Sequence, residues 1–311
     1  MGEWSWELAI LLSKFIAYVS FVSLTGGLFV LFLGARRRPQ GRATIEWSAN
    51  ARVPLVRMLI VASGIGKLAM ILFFLLQVGQ VNQNGVAGMV DGFMIGLLAQ
   101  TPIGTSIALR LAGFVLIGLL LIIYDSKLTG ASSPTLPSNL VFLWGVGILS
   151  CCAGFATLGH VANLDWFAQA LIGLHVLLIG MWIGALYPLF LLCRTEPASA
   201  IAPLMKRFGD YAWGITLGLI VAGGYLLVLL LGAPIELLTT AYGRLILLKI
   251  VLVLCLLALA ALNKFRLVPA LQSAGAAPLQ RSIRGEMLLA FVILALTAVL
   301  STVTGPVDHM G

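Results

Sequence analysis

Eight apolar stretches, each long enough to cross a lipid bilayer, decide most of what this chain can fold into. A helix needs roughly 20 apolar residues to cross the hydrocarbon layer. Such runs lie at about 8–33, 54–79, 106–124, 140–159, 167–192, 212–232, 242–262 and 286–304. The expected fold class is all-α: a polytopic membrane helix bundle of about 8 transmembrane helices, forming a single membrane domain over residues 1–311. A further apolar segment, Met89–Ala99, is too short to span and is expected to lie at the interface or pack on the bundle. Composition agrees, since only 10% of the residues are charged and mean hydropathy is +1.07. A soluble domain carries roughly 25% charged residues, so lipid must solvate most of this surface. The net charge of +8 does not point to nucleic acid, because the charges sit in short loops between the apolar runs. The lead Met1 to Glu7 is acidic and aromatic rather than basic, and a long apolar run follows. It reads as a retained helix, not a secretory signal.

Basic residues set the orientation. The connection after the first run holds Arg36, Arg37, Arg38, Arg42 and Arg52, with Arg57 just inside the second run. The connection after the third holds Lys127, and the one after the fifth holds Arg194, Lys206 and Arg207. Lys264, Arg266, Arg281 and Arg284 follow the seventh. These are fourteen of the nineteen basic residues, all on alternate connections. The opposite connections and termini carry the acids Glu3, Glu7, Asp91, Asp165, Glu236 and Asp308, with Arg244 only at their rim. By the positive-inside rule both termini are expected outside, on the non-cytoplasmic face. Trp4, Trp6 and Trp166 then fall at the outer interface, where indole rings favour a half-wet position.

Two segments resemble each other. Thr101 to Arg110 reads TPIGTSIALR, and Thr240 to Lys249 reads TAYGRLILLK. Each is Thr-x-x-Gly, five residues, then a cation, and each opens a run entering from outside, the third and the seventh. A weaker match pairs Tyr18 and Gly27 of the first run with His175 and Gly184 of the fifth. An even number of helices per repeat implies a parallel 4+4 internal repeat, with halves at about 1–165 and 166–311 related by an axis along the membrane normal.

Ionisable groups inside a membrane commonly face the bundle interior and mark function. Lys14, Lys67, Arg110, His175 and Lys249 all lie within runs. At 1.5 Å per residue, Lys14, Arg110, His175 and Lys249 sit roughly 8–14 Å below the outer surface. Four helices thus contribute to one level, which suggests an intramembrane polar chamber in the outer half; Lys67 lies nearer the midplane. The competing reading is snorkelling, in which a long stem carries its charge to the headgroups. His160 lies at the outer end of the fourth run, His175 within the fifth, and His309 beside Asp308 in the outer tail. Imidazole suits copper, zinc, iron and nickel, so His160 and His175 are candidate metal ligands open to the outside. Cys152 lies two turns before His160 and extends a path inward. The four cysteines form no Cys-x-x-Cys pair, and a buried structural role is the plain alternative for each. A lone membrane histidine can also be only an interhelical hydrogen-bond partner.

The second half resembles the CopD/PcoD copper resistance membrane proteins. The matching pieces are Gly159-His160, His175 with Trp182 to Leu186, Lys206-Arg207-Phe208, Thr240 to Lys249, Ala261 to Pro269, and Arg281 to Glu286. They cover about 150 residues densely, as a CopD-like core at about 159–304, while the first half agrees mainly in span count and the Arg110 motif. The resemblance implies copper ion transport across the bacterial inner membrane, from periplasm to cytoplasm, in copper homeostasis and resistance. It also implies a periplasmic CopC-like copper-binding protein as a separate partner, because no such soluble domain accompanies the spans. His160 and His175 match histidines recurrent in the family, whereas Tyr18 stands where members can have a histidine. On this reading His160, Asp308 and His309 receive the copper ion, and His175 holds it with Cys152.

Nothing marks a primary pump, since no phosphate-binding Gly-rich loop or Walker-type Gly-Lys-Ser/Thr occurs. No nucleophile–base pair indicates an enzyme either. Two rivals stay open. In a b-type haem protein, His160 and His175 serve as axial ligands and Lys14, Arg110 and Lys249 pair with propionates. In a structural or assembly subunit, these residues only lock helices together.

Overall fold

The computed structural model describes residues 3–35, 48–128, 136–157, 165–230 and 234–302. They form helices and turns, with no strand among the described residues. Eight helical segments are long and apolar enough to cross a membrane: Ser5–Ala35, Asn50–Asn82, Pro102–Ser126, Ser138–Ala156, Trp166–Thr195, Ala198–Leu229, Ala241–Leu267 and Ala277–Leu300.

The first half comprises α1 (Glu3–Ala35), α2 (Ala49–Asn82), the short α3 (Gly85–Gly88) and α4 (Gly92–Ala99), α5 (Pro102–Leu128) and α6 (Ser138–Ala156). The second comprises α7 (Trp166–Ile183), α8 (Leu186–Thr195), α9 (Ala198–Leu230), the short α10 (Glu236–Thr239), α11 (Ala241–Leu262), a π-helical turn (Asn263–Leu267), the short α12 (Leu271–Ala274) and α13 (Ala277–Leu300). Apolar Met89–Ala99 becomes α4, packed on α2 and α5.

Local chemistry starts the helices. The Asp91, Asp165 and Thr240 side chains accept the backbone N–H of Met94, Ala168 and Gly243, each at 2.9 Å, capping α4, α7 and α11. Such caps satisfy donors that the first turn leaves free, and a carboxylate there also meets the positive end of the helix dipole. In both Thr-x-x-Gly segments the threonine hydroxyl donates to a carbonyl of the short helix before it. Thr101 bonds Leu98 O at 2.7 Å, and Thr240 bonds Glu236 O at 2.8 Å. The motif glycines serve the same corner: a Cβ on Gly104 would strike the Ala99 carbonyl, and one on Gly243 would strike that of Glu236.

α1 is the centre of the bundle, with 72% of its most apolar stretch buried against 6% for α11 at the periphery. It packs along α2 and α7 and also touches α6, α8, α9 and α13. Its crossing with α7 is backbone on backbone, because Gly26 lies on Gly184 and Gly184 on the Val22 carbonyl. Small residues allow such approach where lipid gives no hydrophobic drive between helices. The fifth span breaks there into α7 and α8. In the first half α1 packs on α2, α2 on α5 and α5 on α6. In the second, α7 packs on α9 and α11 on α13, but α9 and α11 do not pack along one another.

Candidate functional site

The four groups that the sequence places at one depth sort into two neighbourhoods. The first is built on α1, α5, α6 and the end of α13. Arg110 is 2% exposed. Its Nη2 donates to Ser106 Oγ at 2.6 Å and to Gly154 O at 3.1 Å, and Nη1 lies 3.9 Å from Met70 Sδ. The guanidinium carbon stands 4.2 Å from the centre of the Phe155 ring, a cation–π contact. Ser106 Oγ itself donates to Gly154 O at 2.5 Å, so one carbonyl of α6 accepts from both. Arg110 Nε has no partner. This guanidinium is enclosed by protein and does not reach for the headgroups. Lys14, also buried, lies in electrostatic range of Arg110. Its Nζ donates to Ser301 O at 2.5 Å and contacts Thr302 Oγ1 at 3.4 Å, placing a cation at the carbonyl end of α13. The Tyr18 hydroxyl lies 3.2 Å from Ser301 Oγ and also senses Arg110.

The second neighbourhood is built on α7, α9 and α11. His175 presents its ring to Gly223 of α9, with Cε1 3.1 Å from where a Cβ would stand. Its Nδ1 is buried and unpartnered, and Lys249 of α11 lies in electrostatic range. An imidazole with one nitrogen unpartnered is the kind of donor that suits copper, zinc, iron or nickel, although a nearby ammonium would oppose a bound cation.

Cys152 is buried, but it backs on α7 at Gly173. Residues 173 and 175 point about 200° apart on a helix, so Cys152 and His175 lie on opposite sides of α7. The path through both that the sequence suggests is not assembled. Lys67 faces α5 near Gly118, its Nζ 3.6 Å from where a Cβ would stand, and joins neither neighbourhood. His160, Asp308 and His309 lie outside the described residues. Among the described residues no three His, Cys, Asp or Glu side chains gather as a metal site.

Two participants escape sequence reasoning. Ser301 meets both Lys14 and Tyr18, a tie across nearly the whole chain that no local pattern encodes. Glu286 is placed by hydropathy at the mouth of the last span, yet it is 3% exposed and lies inside a helix that starts at Ala277. An acid standing directly against the start of an apolar run, after Arg281 and Arg284, was its available signal.

Residues 202–300 match the family model described as copper resistance protein D, CopD. The matched stretch runs from the first turns of α9 to the end of α13, and so includes Gly223, Lys249 and Glu286. The match supports the resemblance to the CopD/PcoD copper resistance membrane proteins. No curated protein and no solved structure matches the chain.

Proposed function

We propose, from the likeness of residues 202–300 to copper resistance protein D, that this chain carries copper ions across the bacterial inner membrane from periplasm to cytoplasm. The observation that carries the reading is a conjunction. The half-buried imidazole of His175, its Nδ1 buried and without a partner, rests against Gly223 of the family-matched segment, in a bundle of eight apolar helices. His160, Asp308 and His309 then form the receiving group at the outer face, and His175 the holding ligand within the outer half. A separate periplasmic copper-binding protein of the CopC type delivers the ion. Cys152, behind α7, supports that helix rather than ligating.

The two neighbourhoods further support a duplicated four-helix unit. Tyr18 beside Arg110 in one half corresponds to His175 beside Lys249 in the other. Both motif glycines lie under a preceding short helix. On this reading only the second half keeps an imidazole, and the first has become a guanidinium-locked support.

Copper uptake into proteoliposomes tests the proposal. We expect uptake by the full chain, a loss of about tenfold or more on His175→Ala in line with removal of a metal-site residue, and near abolition in His160→Ala/His175→Ala. Undiminished uptake in the double variant would remove both histidines from the path.

A further inference from the structure

At the end of the bundle that carries the basic connections, α9 and α11 stand apart and leave a cavity of about 630 Å³. Its wall is largely apolar, but Glu286 of α13 and Asn263 of the π-helical turn meet in it. Glu286 is 3% exposed and Asn263 8%, and both face the cavity where α13 packs on the π-helical turn. Asn263 Oδ1 has no partner. The π-helical turn, with Val268 N–H donating to Asn263 O at 2.8 Å, is what sets Asn263 at this wall. Single π turns in otherwise regular helices are frequent at functional sites.

Glu286 forms no ion pair among the described residues, although charged groups are near. Lys206 and Asp210 of α9 and Lys264 of the π turn face the same cavity. Lys264 is already engaged: its Nζ donates to Gly209 O, lies 3.7 Å from Asp210 Oδ1 and stands 5.4 Å from the centre of the Trp213 ring. α7, α8, α11 and α12 offer the cavity no ionisable side chain, and Arg284 of α13 turns away to the Phe190 ring. A buried carboxylate without a cation is costly by several kcal/mol, so this group calls for one. A copper ion is a poor candidate, because one carboxylate and one carboxamide are hard donors and no imidazole or thiolate joins them. A proton needs a single oxygen and a neighbour that accommodates both forms. A carboxamide does this, since its NH₂ donates to a carboxylate and its oxygen accepts from a carboxyl O–H. The unpartnered Oδ1 of Asn263 is that acceptor.

We propose that Glu286 and Asn263 form a proton-binding site that exchanges with water through the cavity between α9 and α11. The event is the addition of one proton to one carboxylate oxygen and its release. On the orientation predicted by the basic connections, the exchange is with the cytoplasm. Coupling of this proton to copper movement rests on the transport reading above, whereas the site itself does not.

Infrared difference spectra of the full chain in liposomes, recorded across a pH step, test the site directly. We expect a carbonyl stretching band of a protonated carboxyl in the wild type, its loss in Glu286→Gln, and a displaced band in Asn263→Ala. Glu286→Gln keeps a hydrogen-bonding partner for Asn263 and so preserves packing. A band that persists in Glu286→Gln, or no such band in the wild type, overturns the assignment. A pH dye trapped in the same vesicles reads the coupling, with proton movement during copper uptake lost in Glu286→Gln. If no copper enters even with the wild type, the transport reading fails while the infrared band still decides the site.

Discussion

Arg110 shows how a charged side chain becomes a structural member inside a membrane. A guanidinium has five N–H donors in a fixed plane, and here its two terminal nitrogens meet Ser106, the Gly154 carbonyl and the Met70 sulfur, with the Phe155 ring against its face and Nε left unpartnered. The contacts join α2, α5 and α6 at one point. Lysine cannot reproduce the fork or the stacking. Arg110→Ala is therefore expected to destabilise the bundle by about 2–4 kcal/mol through lost charge-assisted hydrogen bonds and an unfilled cavity. Arg110→Lys should recover only part of that. Denaturant unfolding in detergent measures both, and wild-type stability in Arg110→Ala would show that the guanidinium locks nothing. Sequence inspection could identify Arg110 as an intramembrane charge, but its partners are a carbonyl and a thioether whose positions depend on helix packing. The same limit hid the separation of Cys152 from His175. Their spacing in the chain carries no information about which side of α7 each residue meets.

Among the elements, the crossing of α1 and α7 is the contact least able to yield. Gly26 and Gly184 touch through backbone atoms, which cannot move aside as a side-chain tip can. Overpacking a core costs typically 1–3 kcal/mol where neighbours can relax, and here they cannot. Gly184→Val is accordingly expected to abolish the yield of monodisperse protein in size-exclusion chromatography. Gly145→Val, on a face of α6 with open space around it, should leave the yield unchanged. Equal yields would mean that the crossing tolerates a wider spacing. All eight spans were legible as hydropathy runs, because burial in lipid selects for composition alone. Helix ends were less legible. α9 starts at Ala198 rather than near 212, and α13 at Ala277 rather than near 286, because both helices continue past the hydrocarbon through residues such as Lys206, Arg207, Arg281 and Arg284. Hydropathy stops where water begins, but backbone hydrogen bonding does not. Glu286 was misplaced for the same reason, and with it the cavity it faces.

For the whole molecule, the sense of every step depends on which end faces the cytoplasm. An even number of spans returns the chain to the side where it started, and from the alternation of basic and acidic connections the positive-inside rule predicts that this side is the outer one. The same choice puts His175 and Lys249 nearer the outer surface and the Glu286 cavity at the inner one. In a variant lacking the four native cysteines, single cysteines mark each face. Asn163→Cys, between α6 and α7, is expected to react with a membrane-impermeant maleimide added to intact spheroplasts. Arg42→Cys and Arg281→Cys should react only after the membrane is opened. The arginine-rich first connection is the sharpest test, since carrying it outward opposes the membrane potential by about 2.3 kcal/mol per charge per 100 mV. Labelling of Arg42→Cys from outside would invert the bundle. His175 would then take copper from the cytoplasm and Glu286 would exchange protons with the periplasm. An export protein, not an importer, would be the consistent reading of the same side chains.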